Sequence, residues 1–219
     1  MTEKTDQRYW MPAQMERQTN YETAFCHGID QVKKRPPDSL EELGARAVGE
    51  GLYELRVLDG LVAVDLENRE VSLASCVPGE KLSLEWQILV LHYLASASPW
   101  PDINKWVGYS DFAEARGYEQ VYRGRVLGRL CGTAGRTRDA FVDACTRIGG
   151  EVIDWGDEGF VFNVFPRISI KVAWHDGDED LPPSVSMLYP DNIVFFMCVE
   201  DLVVLSESLV SRLQKVGWH

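Results

Sequence analysis

From Leu84 to Ser96 the chain is apolar round most of a helical circumference. Leu84, Ile88, Leu91 and Ala95 recur at three- and four-residue spacing, with Leu89 and Tyr93 beside them. A helix of that kind has no face to offer water, so other elements must surround it. Ser83 supplies its N-cap, and Ser98-Pro99-Trp100-Pro101 ends it. Any fold this chain adopts is therefore built around one central buried helix.

The flanking segments have the other period. Tyr53, Leu55 and Val57 alternate with Glu54 and Arg56, as in a half-buried strand. Asp59-Gly60 reads as the tight turn of a hairpin, Leu61 to Val64 as its second strand and Val71 to Ala74 as a third. After the central helix, Glu119 to Cys131 and Arg138 to Ile148 read as helices; Phe141, Cys145 and Ile148 form the buried stripe of the second and Gly149-Gly150 its stop. Phe160, Phe162 and Val164 alternate along a further strand, and Ile168, Ile170, Val172 and Trp174 along the next. Val185 to Tyr189 and Ile193 to Met197 suggest another hairpin across Pro190-Asp191-Asn192. A helix from Val199 to Val216 closes the chain, with Leu202, Leu209 and Leu213 inward. Strands, then helices, then strands and a helix predict an α+β fold with antiparallel sheet elements and several packed helices.

Residues 1–45 are polar and read as a partly helical arm, with helices over Gln14 to Lys34 and, capped by Ser39, over Ser39 to Ala47. Residues 46–219 then form the single α+β domain. A chain of 219 residues buries enough surface to need no disulfide or metal staple. Met1 to Asp30 lacks the apolar run of an export signal, and the longest apolar stretches are too short to span a bilayer. Five cysteines, Cys26, Cys76, Cys131, Cys145 and Cys198, show no metal-site spacing and read as reduced thiols of a cytoplasmic protein. A net charge of −12 argues against nucleic acid and anionic membrane surfaces as partners.

Several segments together resemble a known family. They are Ser83 to Leu94, Tyr109-Ser110-Asp111-Phe112, Gly149-Gly150, Phe165-Pro166-Arg167-Ile168, Trp174 to Ser184 and Glu200-Asp201-Leu202. In these the chain, from about residue 40 onward, is similar to an uncharacterised domain-of-unknown-function family (DUF3786-like) of anaerobic bacteria and archaea. The resemblance implies membership without an activity. Some members look fused to cysteine-rich iron–sulfur segments like those of corrinoid proteins, and the sequence in hand carries no such segment. That counts against a direct redox role and leaves an accessory role beside corrinoid or iron–sulfur enzymes open.

Three regions are candidate sites, each with a plainer alternative. In the acidic loop, Asp176, Asp178, Glu179 and Asp180 offer oxygens of the kind a hard cation takes, and His175 beside them could share acid–base work with Asp178. The alternative is a solvated turn relaxed at Gly177 and stiffened by Pro182-Pro183. The arginine-rich stretch holds Arg123, Arg125, Arg129, Arg136 and Arg138, with Arg116 before them. Gly132-Thr133-Ala134-Gly135 leading into the next helix suggests an anion cradle, although the Lys-Ser/Thr ending of a P-loop is missing. The alternative is an exposed helix face paired with acids elsewhere. His92, on the central helix, is either a metal or corrinoid ligand or a satisfied core histidine, neutral through burial.

Trp86, Trp100, Trp106, Trp155 and Trp174 either line an apolar pocket or fill the core. No nucleophile arrangement and no specific cofactor motif is readable. Three functions follow: a non-catalytic protein that binds a small molecule, a metal-assisted hydrolase at the acidic loop, or a module that docks on a protein partner. The first is favoured, because neither nucleophile nor ligand motifs are present.

Overall fold

The computed structural model describes residues 11–74, 80–214 and 217–218. Cys76, the first ten residues of the predicted arm and the predicted helix end at Val216 lie outside the described residues. The first sheet is an antiparallel meander of β1 (Arg46–Gly49), β2 (Leu52–Val57), β3 (Gly60–Asp65) and β4 (Glu70–Leu73). Tyr53, Leu55 and Val57 face the core with Val62, Val64, Val71 and Leu73, as their alternation requires. The β2–β3 turn, however, lies one residue earlier than Asp59-Gly60 suggests. Leu58 takes the left-handed conformation, with φ of 47°, and Gly60 pairs with Val57 as the first residue of β3. Gly60 is needed for a different reason: the Trp218 indole lies where its side chain would be.

The second sheet has five antiparallel strands in the order β5-β9-β8-β7-β6. These are β5 (Trp106–Val107), β6 (Glu151–Ile153), β7 (Glu158–Phe165), β8 (Ile168–His175) and β9 (Ser184–Pro190). β9 does not form a hairpin with residues 193–197. Its free side is taken by β5, and Ile193–Phe195 is a 3₁₀ turn. Asp191 accepts the Asn104 N–H at 3.0 Å and donates its own N–H to the Lys105 carbonyl, which ties the chain after β9 to the strand before it. The apolar Ile193, Phe196 and Met197 that suggested a strand are buried in this turn instead. The two sheets meet where the Leu58 N–H bonds the Val164 carbonyl at 3.0 Å.

The helices are α1 (Met11–Val32), α2 (Pro37–Glu42), α3 (Leu84–Ala95), α4 (Glu119–Tyr122), α5 (Arg129–Gly132), α6 (Arg138–Arg147) and α7 (Val199–Leu213). A π-helical segment, Arg123–Gly128, joins α4 to α5 without a break. The predicted helix over Ser39 to Ala47 is shorter than expected and starts at Pro37. Pro36 holds its N-cap position, and Ser39 donates its hydroxyl hydrogen to the Pro36 carbonyl instead of capping. Gly44, at φ of 86°, turns the chain out so that Arg46 pairs with Glu54 in β1 and β2.

α3 lies between α1 and α7, and Trp86, Ile88, Leu89, Val90, Leu91, Tyr93 and Leu94 are all buried. Ser83 accepts the Trp86 N–H at its start. Tyr93 stacks on Phe165 and Phe196 and donates its hydroxyl to the Leu43 carbonyl at 2.8 Å. Ile29, Val32, Leu40 and Leu43 belong to the same core as both sheets. The result is a single-domain α+β fold, in which no described helix is long and apolar enough to cross a membrane.

Candidate functional site

α7 buries Leu202, Leu205, Leu209 and Leu213 and leaves Glu200, Val204, Glu207, Ser208 and Ser211 along one edge. The α4–π–α5 helix runs beside that edge in parallel. Arg125 meets Glu207 and Arg129 meets Ser211, so both contacts span the same 82 residues. Between the two helices lies a groove of about 570 Å³. Tyr118, Val121, Arg125 and Arg129 form one wall, the polar edge of α7 the other, and Ser83 and Glu85 at the start of α3 complete it with Tyr21 of α1.

The two arginines are held differently. Arg125 comes from the π segment, and its Nε lies 2.6 Å from one Glu207 oxygen while its Nη2 donates to the other at 3.1 Å. Arg129 donates from Nη2 to Ser211 Oγ and Gln214 Oε1, both at 2.9 Å. Gln214 is itself fixed by donating to Thr133 Oγ1, and Ser211 by donating to the Glu207 carbonyl. Arg129 is thus oriented by neutral acceptors, and Glu207 acts on its charge only across space, without a direct bond. The Glu207 carboxyl is pushed above the usual carboxylate range, because burial disfavours its charge more than Arg125 and Arg129 favour it; Glu85 pushes the same way.

The other arginines point elsewhere. Arg123 pairs with Glu119 one turn back on its own helix at 2.8 Å. Arg138 pairs with Glu158 on β7, and Arg136 is exposed. The glycine turn before α6 is not an open cradle. Its Thr133 and Gly135 N–H groups bond the Leu130 carbonyl, the Arg136 N–H bonds Thr133, and Thr137 caps α6 through Ala140. The N–H groups of Thr133, Gly135, Arg136 and Ala140 are thus engaged within the turn rather than offered to an anion.

The acidic loop is similarly closed on itself. Asp178 accepts the N–H groups of Asp180 and Leu181 at 2.9 and 2.8 Å, and these bonds hold its carboxyl below the usual range. Asp176 accepts the Gly177 N–H and donates its own N–H to the Asp157 carboxylate. Glu179 and Asp180 are exposed. His175 turns from the loop, with Nε2 2.6 Å from Ser186 Oγ and its ring edge-on to Trp155. The loop exit does pack against the arginine-rich turn, where Cys131 Sγ lies 3.5 Å from the Pro183 carbonyl. Among the described residues, no group of three or more His, Cys, Asp or Glu is placed to hold a metal ion.

His92 is half-buried and faces α7, with Nδ1 2.9 Å from Asp201. The bond to Asp201 raises its pKa in spite of burial, so the imidazolium is favoured where burial alone predicted the neutral ring. A raised folded value stabilises the fold fully below the ordinary histidine value near 6.5 and loses that effect as pH rises through the folded value. His92→Gln should therefore cost about 1 kcal/mol near pH 6 and progressively less toward pH 9. Urea unfolding of both proteins across that range checks it, and a cost independent of pH would contradict the ion pair.

No described tryptophan lines the groove. Trp86, Trp100 and Trp174 are core residues, and the last two donate to Ser96 Oγ and the Gly135 carbonyl. Beneath the groove, Tyr122, Tyr189 and Ser206 form a buried hydroxyl chain, with Tyr122 2.9 Å and Ser206 2.6 Å from the Tyr189 oxygen. Burial raises both tyrosine pKa values, and the chain ends on the Leu202 carbonyl. The residues that sequence reasoning passed over are Glu85, Glu207, Ser211 and Gln214. For Glu207 and Ser211 the local signal was their four-residue spacing along the polar edge of α7; Glu85, on α3, and Gln214, just past α7, gave none.

No curated protein and no solved structure matches the chain. The family described as Domain of unknown function (DUF3786) matches over residues 35–212, which takes in both sheets, the central helix and both walls of the groove. On that match, the chain belongs to the DUF3786 family of domains of unknown function.

Proposed function

We propose that the protein is a non-catalytic binder of a small organic ligand, held in the groove between α7 and the α4–π–α5 helix. The ligand would carry an anionic group for Arg129 and Arg125 and an apolar body for Val121, Val203 and Val204. One observation carries this reading: Arg129 is fixed by Ser211 and Gln214 without being neutralised by either. A guanidinium oriented in advance loses little freedom on pairing with a carboxylate, sulfonate or phosphate. The π segment that delivers Arg125 agrees with it, since such segments recur at functional positions.

An acid–base reading has less behind it. Glu207 has a raised pKa in a groove, but the neighbouring Ser211 hydroxyl donates to the Glu207 backbone carbonyl rather than to its carboxylate, so it is not set up as a nucleophile with that base. The test is a fluorescence titration with anilinonaphthalene sulfonate, an apolar aromatic with one permanent negative charge. Saturable binding should weaken about 30-fold in Arg129→Gln, the loss of one charge-assisted pair of about 2 kcal/mol. Unchanged affinity in a folded Arg129→Gln protein would remove the groove from consideration.

A further inference from the structure

Arg125 offers the groove a guanidinium that is already engaged. Its partner Glu207 meets it through both carboxylate oxygens, as a ligand carboxylate would. We propose that Glu207 is a built-in competitor for the anion seat: it occupies Arg125 while the groove is empty and yields to a ligand's anionic group by taking up a proton from solvent. This inference rests on the groove reading above and adds its regulation.

The surroundings favour such an exchange. The groups facing Glu207 are Arg125 and Arg129 from the α4–π–α5 helix and Glu85 from the start of α3. Glu200 of α7, Tyr118 on the facing wall, Tyr21 of α1 and the hydroxyls of Ser208 and Ser211 line the same groove. With Arg125 in place, Glu207 has a direct partner against the cost of burial and against the Glu85 charge. Once a ligand anion takes Arg125, Glu207 keeps Glu85 as a like charge and loses that partner. The neutral acid is then the cheaper form. It needs no cation and can remain in the half-buried position beside Ser211. Arg129 is spared the exchange, because its acceptors are neutral, so it serves as the permanent part of the seat.

Two consequences separate this arrangement from an ordinary interhelical ion pair. Acidification should strengthen binding of an anion whose own charge does not change with pH, and loss of the Glu207 charge should strengthen it too. A competitor that fills the seat nine-tenths of the time weakens apparent affinity about tenfold.

The experiment is titration of the full chain with anilinonaphthalene sulfonate between about pH 5 and pH 8, for wild type, Glu207→Gln and Arg129→Gln. Expected are a wild-type affinity that rises as pH falls, and a Glu207→Gln affinity about tenfold tighter than wild type at pH 8 and flat with pH. If Glu207→Gln binds no tighter while Arg129→Gln still loses the probe, the competitor is refuted and the groove reading stands. If neither variant changes binding, the groove reading fails and takes the competitor with it. Should Glu207→Gln not fold, the wild-type profile decides alone, and an affinity independent of pH overturns the proposal.

Discussion

Gly159→Ala is expected to destabilise the protein by about 3 kcal/mol or more, the size of effect seen when a side chain is forced against backbone that cannot move. Gly159, the second residue of β7, pairs with Ile153 on the edge strand β6 and with Ala173 on β8. A Cβ there would overlap the Trp155 carbonyl oxygen and stand 2.9 Å from the Ile153 carbonyl oxygen. Both oxygens belong to the tight turn that joins β6 to β7, where the Trp155 N–H bonds Ile153 and the Asp157 N–H bonds Trp174 across the sheet. Relief would require that turn to open, with loss of those bonds. In an unconstrained strand the same substitution would be neutral or favourable, because alanine has less unfolded-state entropy to lose. Urea denaturation followed by circular dichroism therefore tests the sign as well as the size. A variant within about 0.5 kcal/mol of wild type would mean that the turn does not approach Gly159 in this way.

Asp59→Ala is expected to cost about 2 kcal/mol, chiefly because it strands the Arg212 charge in a largely buried position. Arg212, near the end of α7, is 11% exposed at its side chain. Its Nη2 donates to both Asp59 oxygens at 2.9 and 2.7 Å, and its guanidinium lies 4.5 Å over the Trp218 ring. Asp59, in the β2–β3 turn, is about one-third exposed, so part of the pair is screened and the cost falls below that of a wholly buried pair. Replacing both partners, as in Asp59→Ala with Arg212→Met, should recover part of that loss. Methionine fills the same space beside Trp218 and brings no charge to strand. Thermal or urea unfolding of the single and double variants gives the coupling directly. Strictly additive losses would show that the two groups do not depend on each other.

The groove shows where local reading stops. Arg125 and Arg129 were recognisable as neighbours on one helix face, since four-residue spacing alone places them there. That Glu207 would meet the first and Ser211 the second depends on how two helices 82 residues apart slide along one another. The acidic loop and the glycine turn misled for the opposite reason. Their residue types suit a ligand, but short loops of Asp, Gly and Thr also satisfy their own backbone, and here Asp178 and Thr133 do so.

By itself the sequence determined where the backbone is helical or extended along its strongly patterned stretches. α3 is buried because no arrangement of its side chains could face water, and β2, β7 and β8 have the alternation that one buried sheet face imposes. Only the tertiary structure decided that β5 rather than residues 193–197 borders β9, that Leu58 makes the turn so Gly60 can receive Trp218, and that Asp201 meets His92 and raises its pKa. The physical reason is common to all three. Periodic burial is written into neighbouring residues, whereas pairing, close approach and charge depend on which distant groups the packed core brings within a few ångströms.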